Sequence, residues 1–168
     1  MTQAALETKV TELSPDIGMR LEQRRVVAEN LGDALADAFR LSFNLQGLHW
    51  NVEGPIFYSL HKLTETQYEE IEESVDVLAE RIRALGLPAP ESLRELDDRS
   101  VVDDLPKDAE LKARVERTVS DYESAGIRLK QIVALAESND DIRTADLLTN
   151  QLGKYEEFAW MLRATITS

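Results

Sequence analysis

Cysteine is absent from the 168 residues. No disulfide or thiolate metal site can therefore form, and any bound metal must rest on oxygen and imidazole donors, a set that suits iron, manganese or zinc. Histidine is almost as scarce, with two in the chain, and both fall in HWNVEGPIFYSLH at 49–61. Positive charge is short as well: 19 Lys and Arg against 32 Asp and Glu leave a net charge of -13. Such a balance repels phosphate backbones and anionic lipid surfaces and attracts cations. There is no run of about 18 apolar residues and no basic-then-apolar leader at the start. The expectation is a cytoplasmic protein that spans no membrane.

Hydrophobic residues make up 43% and charged residues 30%, the composition of a chain that folds. Its length suits one domain that buries roughly two-thirds of the surface its unfolded form exposes. Glycine and proline, seven and five in number, are confined to a few points. Pro15, the Gly54-Pro55 pair, the GLPAP stretch at 86–90 and Pro106 mark breaks between longer pieces.

An arm over 1–15 is expected to be flexible, with a single domain over 16–168. Ser14-Pro15 reads as the start signal of a first helix over 16–52, carrying Ile17, Leu21, Leu31, Leu35, Phe39 and Leu48 at near-helical steps. A second helix over 56–85 carries Leu60, Leu63, Ile71, Val75, Leu78, Ile82 and Leu85, and Gly86 stops it. A third begins after Pro106 with acids in its first turn, and a fourth near Asp141. The link over 86–106 is long enough to cross a bundle, and its ESLRELDD at 91–98 can form a short extra helix. The predicted class is all-α, a four-helix bundle with one long crossover, which is the ferritin-like connectivity.

Acidic metal sites in such bundles use Glu-x-x-His motifs on two helices of one chain. Here Gln46 and Tyr58 stand three before the histidines, so that arrangement cannot form. On a helical wheel with His61 at zero, Glu65 lies at ~40°, Asp76 at ~60° and Glu80 at ~100°, with the apolar residues between ~200° and ~320°. The acids and histidine thus face away from the chain's own core. His61/Glu65 and Asp76/Glu80 are i,i+4 pairs about 16 Å apart along the axis, too far for one ion to touch both. Antiparallel packing of this helix against its copy across a two-fold axis, with Ala79 allowing close approach and His49 reaching over, would give two symmetric sites, each with two imidazoles and three carboxylates. Such a set suits iron. The run Glu65, Glu69, Glu72, Asp76, Glu80 also reads as a solvated helix face, and each histidine as a hydrogen-bonded structural residue. Spacing leaves both readings open.

HWNVEG at 49–54, F-x-x-LH at 57–61, D-x-x-AER at 76–81, TADLLT at 144–149 and EEFAWMLRA at 156–164 resemble the Dps family, the DNA-binding proteins from starved cells, or mini-ferritins. The resemblance covers nearly the whole chain. It implies a hollow homododecamer that binds Fe(II) between two-fold partners, oxidises it with hydrogen peroxide or oxygen, and stores ferric mineral inside, protecting DNA. By position, His49, His61 and Glu65 would be ligands from one subunit and Asp76 and Glu80 from the other, making these five the ferroxidase residues, with zinc as a possible substitute metal. Most members have Asp where Glu65 stands. Trp50 and Trp160 match aromatics near the family's site, and Asp141 and Asp146 match acids of its three-fold pores, where Asn150 replaces a further acid. The tryptophans also read as amphipathic aromatics packed at an interface, and the two aspartates as ordinary acids at a helix N-terminus.

Members that bind DNA commonly carry a basic tail, whereas the arm here has Lys9 against Glu7 and Glu12, and Arg20, Arg24 and Arg25 form only a small patch. Weak or absent DNA binding is expected. The alternative is a nucleoid-associated DNA-binding protein with a structural or zinc-occupied site.

Overall fold

A computed structural model describes residues 12–167. Its four long helices are α1 (Leu21–Asn51), α2 (Phe57–Ala84), α4 (Leu111–Ser138) and α5 (Ile142–Ile166), with the short α3 (Leu93–Arg99) in the link between α2 and α4. No strand occurs among the described residues. The all-helical bundle follows the apolar periodicity, and the long crossover and its short extra helix lie in the link between α2 and α4 where they are expected.

Two helical hairpins build the bundle. Gly54, at φ 89, turns the chain from α1 into α2, and its carbonyl accepts from Phe57 N at 3.0 Å. Asp140, at φ 61, turns it from α4 into α5. α1 packs on α2 and α4 on α5, and the hairpins meet along α1–α4 and α2–α5. Their shared interior is mainly aliphatic, with Leu31, Leu41, Leu45, Leu60, Leu148 and Leu162 fully buried beside a cluster of Tyr122, Tyr155 and Phe158. Each such side chain stabilises the fold by about 1.5–3 kcal/mol relative to exposure.

The crossover is tied down by polar groups. Asp37 of α1 accepts from Val101 N at 2.8 Å and Ser100 Oγ at 2.9 Å and pairs with Arg128 of α4. Arg117 of α4 holds Asp103 at 2.7 Å and Asp121 at 2.8 Å. A segment without regular structure thereby has its exposed carbonyls and amides matched to helix side chains.

Two helix starts differ from those expected. α1 begins at Leu21, not near Asp16, because Gly18 lies at φ 77 and Arg20 is extended at ψ 157, with its N–H received by Gln23 Oε1 at 3.0 Å. The residues before it form an extended strap whose Leu13 N–H reaches Gly86 O at 2.7 Å, so Pro15 is not in a helical first turn. α4 starts at Leu111 and has no acid in its first turn, since Asp108 and Glu110 precede it. Residues 1–11 of the expected arm lie outside the described residues. Within 12–167 no helix is long and apolar enough to cross a membrane.

Candidate metal centre

The last turn of α1 sets Leu48 into the core, His49 at its edge and Trp50 outward. The Gly54 turn then brings the first turn of α2 alongside, so two histidines 12 residues apart meet. His49 Nδ1 lies 2.8 Å from His61 O, and His61 Nδ1 lies 3.1 Å from His49 O. A carbonyl oxygen can only accept, so each Nδ1 carries the proton, and in the neutral ring each Nε2 keeps its lone pair. Such an arrangement orients an imidazole for a metal. The rings stack with centroids 3.8 Å apart and planes 15° from parallel.

Aromatic rings close both ends of this pair. Phe57 lies 5.0 Å from His61 at 26°, and Tyr68 meets His49 edge-on at 5.3 Å and 75°. The sequence reading gives neither a site role, Phe57 entering only as part of the F-x-x-LH motif, although the signal is there: Phe57 precedes His61 by four residues and Tyr68 follows it by seven, both steps that return to one helix face.

Glu65 sits one turn after His61 and is hydrogen-bonded by Lys62. That contact is the main reason its carboxyl is held below the usual glutamate range; desolvation opposes it, and the lysine charge adds to the lowering. The same contact raises the Lys62 ammonium. Asp76 and Glu80 are exposed farther along α2. Among the described residues no three His, Asp or Glu side chains converge as a metal-binding group. One chain therefore holds the predicted set in two parts, His49, His61 and Glu65 at one end of α2, with Asp76 and Glu80 toward the other.

Trp50 and Trp160 are 62% and 63% exposed. Trp50 and Phe43 meet edge to face at 6.4 Å, while within the chain the imidazoles are flanked by Phe57, stacked on His61, and Tyr68, edge-on to His49.

Asp141, expected at a pore, is 2% exposed in the single chain and caps α5: Oδ1 accepts from Thr144 N at 2.9 Å and Arg81 Nη2 at 2.6 Å, and Oδ2 accepts from Thr144 Oγ1 at 2.6 Å. Both oxygens thus have partners inside the chain. Burial pushes this carboxyl up, but the hydrogen bonds of Arg81 and Thr144 and the arginine charge outweigh it and hold it below the usual range. Asp146 is exposed and pairs with Arg143 at 3.1 Å, and Asn150 donates to the Asp146 carbonyl at 3.0 Å. A cavity of about 1010 Å³ lies elsewhere, between the start of α1 and the crossover, lined in part by Arg25, Val26, Leu87 and Pro90.

A family model described as a ferritin-like domain matches residues 28–168. DNA protection during starvation protein 2 of Bacillus anthracis is 35% identical over 138 residues, covering 82% of this chain and 94% of that protein. The solved structure of a Dps protein from Bacillus brevis superposes with a TM-score of 0.84 at 29% identity, over 89% of this chain and 100% of that one. DpsC from Streptomyces coelicolor shares the fold at a TM-score of 0.90 and 24% identity, over 97% of this chain and 96% of its own.

Proposed function

Because the chain belongs to the Dps family of ferritin-like proteins, we propose that it is an iron-storing mini-ferritin whose ferroxidase site is completed between two copies of the chain. The observation that carries this reading is the reciprocal pair of Nδ1–H···O=C bonds, which commits each Nδ1 and leaves each Nε2 as the atom to meet a metal, one turn from a Glu65 carboxyl held below its usual range.

In this reading His49 and His61 bind Fe(II) through Nε2, and Glu65 exchanges Lys62 for the metal. Asp76 and Glu80 of the two-fold partner complete an oxygen-rich set suited to iron. The surface around the α1–α2 turn supports a partner there, since Phe43, Trp50, Phe57 and Tyr58 are all exposed large apolar side chains. Iron is the substrate. Two Fe(II) ions give up one electron each, and hydrogen peroxide takes both as its O–O bond breaks. The ferric ions then hydrolyse water, release protons and collect as an oxide-hydroxide inside a hollow dodecamer. Oxygen is a second oxidant. Removing Fe(II) and peroxide together would protect DNA without contact. A net charge of -13 argues against direct DNA binding, so we propose a cytoplasmic shell with weak or no affinity for DNA.

Anaerobic Fe(II) loading followed by peroxide tests the site, with the absorbance of ferric iron as the signal. The His49→Ala/His61→Ala variant is expected to oxidise iron at least about tenfold more slowly than the parent. Equal rates would remove the ferroxidase reading.

A further inference from the structure

The hydrogen bonds at Nδ1 fix one atom of each imidazole but not the plane of the ring. The torsion that turns a histidine ring has broad, shallow wells, so a ring held only at Nδ1 can rock about that bond. A metal on Nε2 needs the lone pair, and hence the ring plane, to be aimed. In this chain the planes are set by a column of four rings: Phe57 on His61 at 5.0 Å, His61 on His49 at 3.8 Å, and the edge of Tyr68 against His49 at 5.3 Å.

Core packing does not account for the aromatic character of Phe57. Its side chain is 45% exposed, while Leu60 three residues later is fully buried and makes the α2 contact with the interior. Phe57 is the first residue of α2, one turn before His61 on the same face. A flat ring there lies against the face of the His61 imidazole, its plane 26° from that of the imidazole.

We propose that Phe57, with Tyr68 at the opposite end of the column, is a positioning residue that fixes the plane of His61 and through it that of His49, so that both Nε2 atoms are preset before a metal arrives. This rests on the metal-site reading above. Phe57 touches no metal and acts only through the imidazoles. A site aimed in advance loses less on binding than one that must be ordered by its ligand.

Co(II) is a suitable probe because it accepts the same nitrogen and oxygen donors and its visible absorption reports the geometry around it. Parent, Phe57→Ala, Phe57→Leu, Phe57→Tyr, Tyr68→Leu and His49→Ala/His61→Ala chains are titrated with Co(II), each on the fraction that elutes at the size of the parent assembly. The parent is expected to bind and the double histidine variant to lose that binding. Phe57→Tyr, which keeps the ring, should match the parent within about twofold. Phe57→Ala and Phe57→Leu should bind about three- to tenfold more weakly, with an altered Co(II) spectrum, and Tyr68→Leu should change in the same direction. Leucine retains apolar bulk without a flat face. Parent-like affinity and spectrum in Phe57→Leu would therefore overturn the positioning role while leaving the metal site intact. A parent that binds no Co(II), or a double histidine variant that binds it equally well, would overturn the site and the positioning role together.

Discussion

Asp141 and Asp37 are both buried aspartates paired with arginines, yet their surroundings move them in opposite directions. Burial raises both, but for Asp141 the hydrogen bonds of Arg81 and Thr144 and the arginine charge reverse the balance and leave the carboxyl below its ordinary value. For Asp37 burial prevails over the Val101 amide, the charge of Arg128 and the Ser100 hydroxyl, and the carboxyl stays raised. The linkage follows from these signs. Asp141 contributes stability that is present above its unfolded value and lost as pH falls through the folded one, whereas the contribution of Asp37 is present below its unfolded value and lost as pH rises through the folded one. Asp141→Asn should therefore cost about 2–3 kcal/mol at pH 7, with the deficit shrinking toward pH 3. Asp37→Asn should instead gain on the parent as pH rises from 3 to 7. Urea unfolding of parent and variants across that range would show slopes of opposite sign, and parallel slopes would contradict both assignments. That a helix starts at Asp141 was legible in the chain, but the arginine partner of neither aspartate was. Asp141 opens a helix and Asp37 sits inside one, and spacing cannot say that both carboxylates are sealed against arginines brought from 60 and 91 residues away.

At the scale of elements, the apolar periodicity was sufficient where packing alone sets the helix, as along α2, where Leu60, Ile71, Leu78 and Ile82 are all buried. It also placed His61 and the acids on the other side, which is why half of the candidate site could be read from spacing. It failed at the start of α1, where a non-local contact decides the conformation. The strap before α1 is held by Gly86, whose carbonyl accepts from Leu13 N, and by Arg24, which donates to Leu13 O at 3.2 Å and Leu85 O at 2.8 Å. Gly86 reads from sequence as a helix stop, which it is, but its second role depends on a residue 73 positions earlier in the chain. It sits at φ 90, and a Cβ there would stand 2.5 Å from Leu13 O and 2.7 Å from Arg24 Nη1. Gly54, at φ 89, has open space around it. Gly86→Ala should thus cost about 3 kcal/mol, combining left-handed strain with a backbone clash, and Gly54→Ala about 1–2 kcal/mol from strain alone. Thermal unfolding of the two variants would reveal equal losses if the strap contact were unimportant.

The whole molecule is where the chemistry would be completed, because a single chain divides the predicted ligands between two ends of α2. An antiparallel pair of chains would place the His49/His61/Glu65 end of each against the Asp76/Glu80 end of the other, and this makes a specific demand on mixtures. A chain with His49→Ala/His61→Ala and a chain with Asp76→Ala/Glu80→Ala should each assemble into an inactive shell. When the two are refolded together, a mixed pair has one site with four of its five ligands altered and one site with none altered. Random pairing from equal amounts makes about half of all pairs mixed, so about a quarter of the parent's sites should reappear, and with them about a quarter of its peroxide-driven iron oxidation. Stopped-flow measurement on the separate and co-refolded samples checks this. A site contained within one chain predicts no recovery at any mixing ratio, because each chain then lacks part of its own set. Recovery near a quarter would require that the histidines of one chain and the acids of another serve the same ions. That requirement accounts physically for an acidic, exposed α2 face that the chain's own core leaves unused.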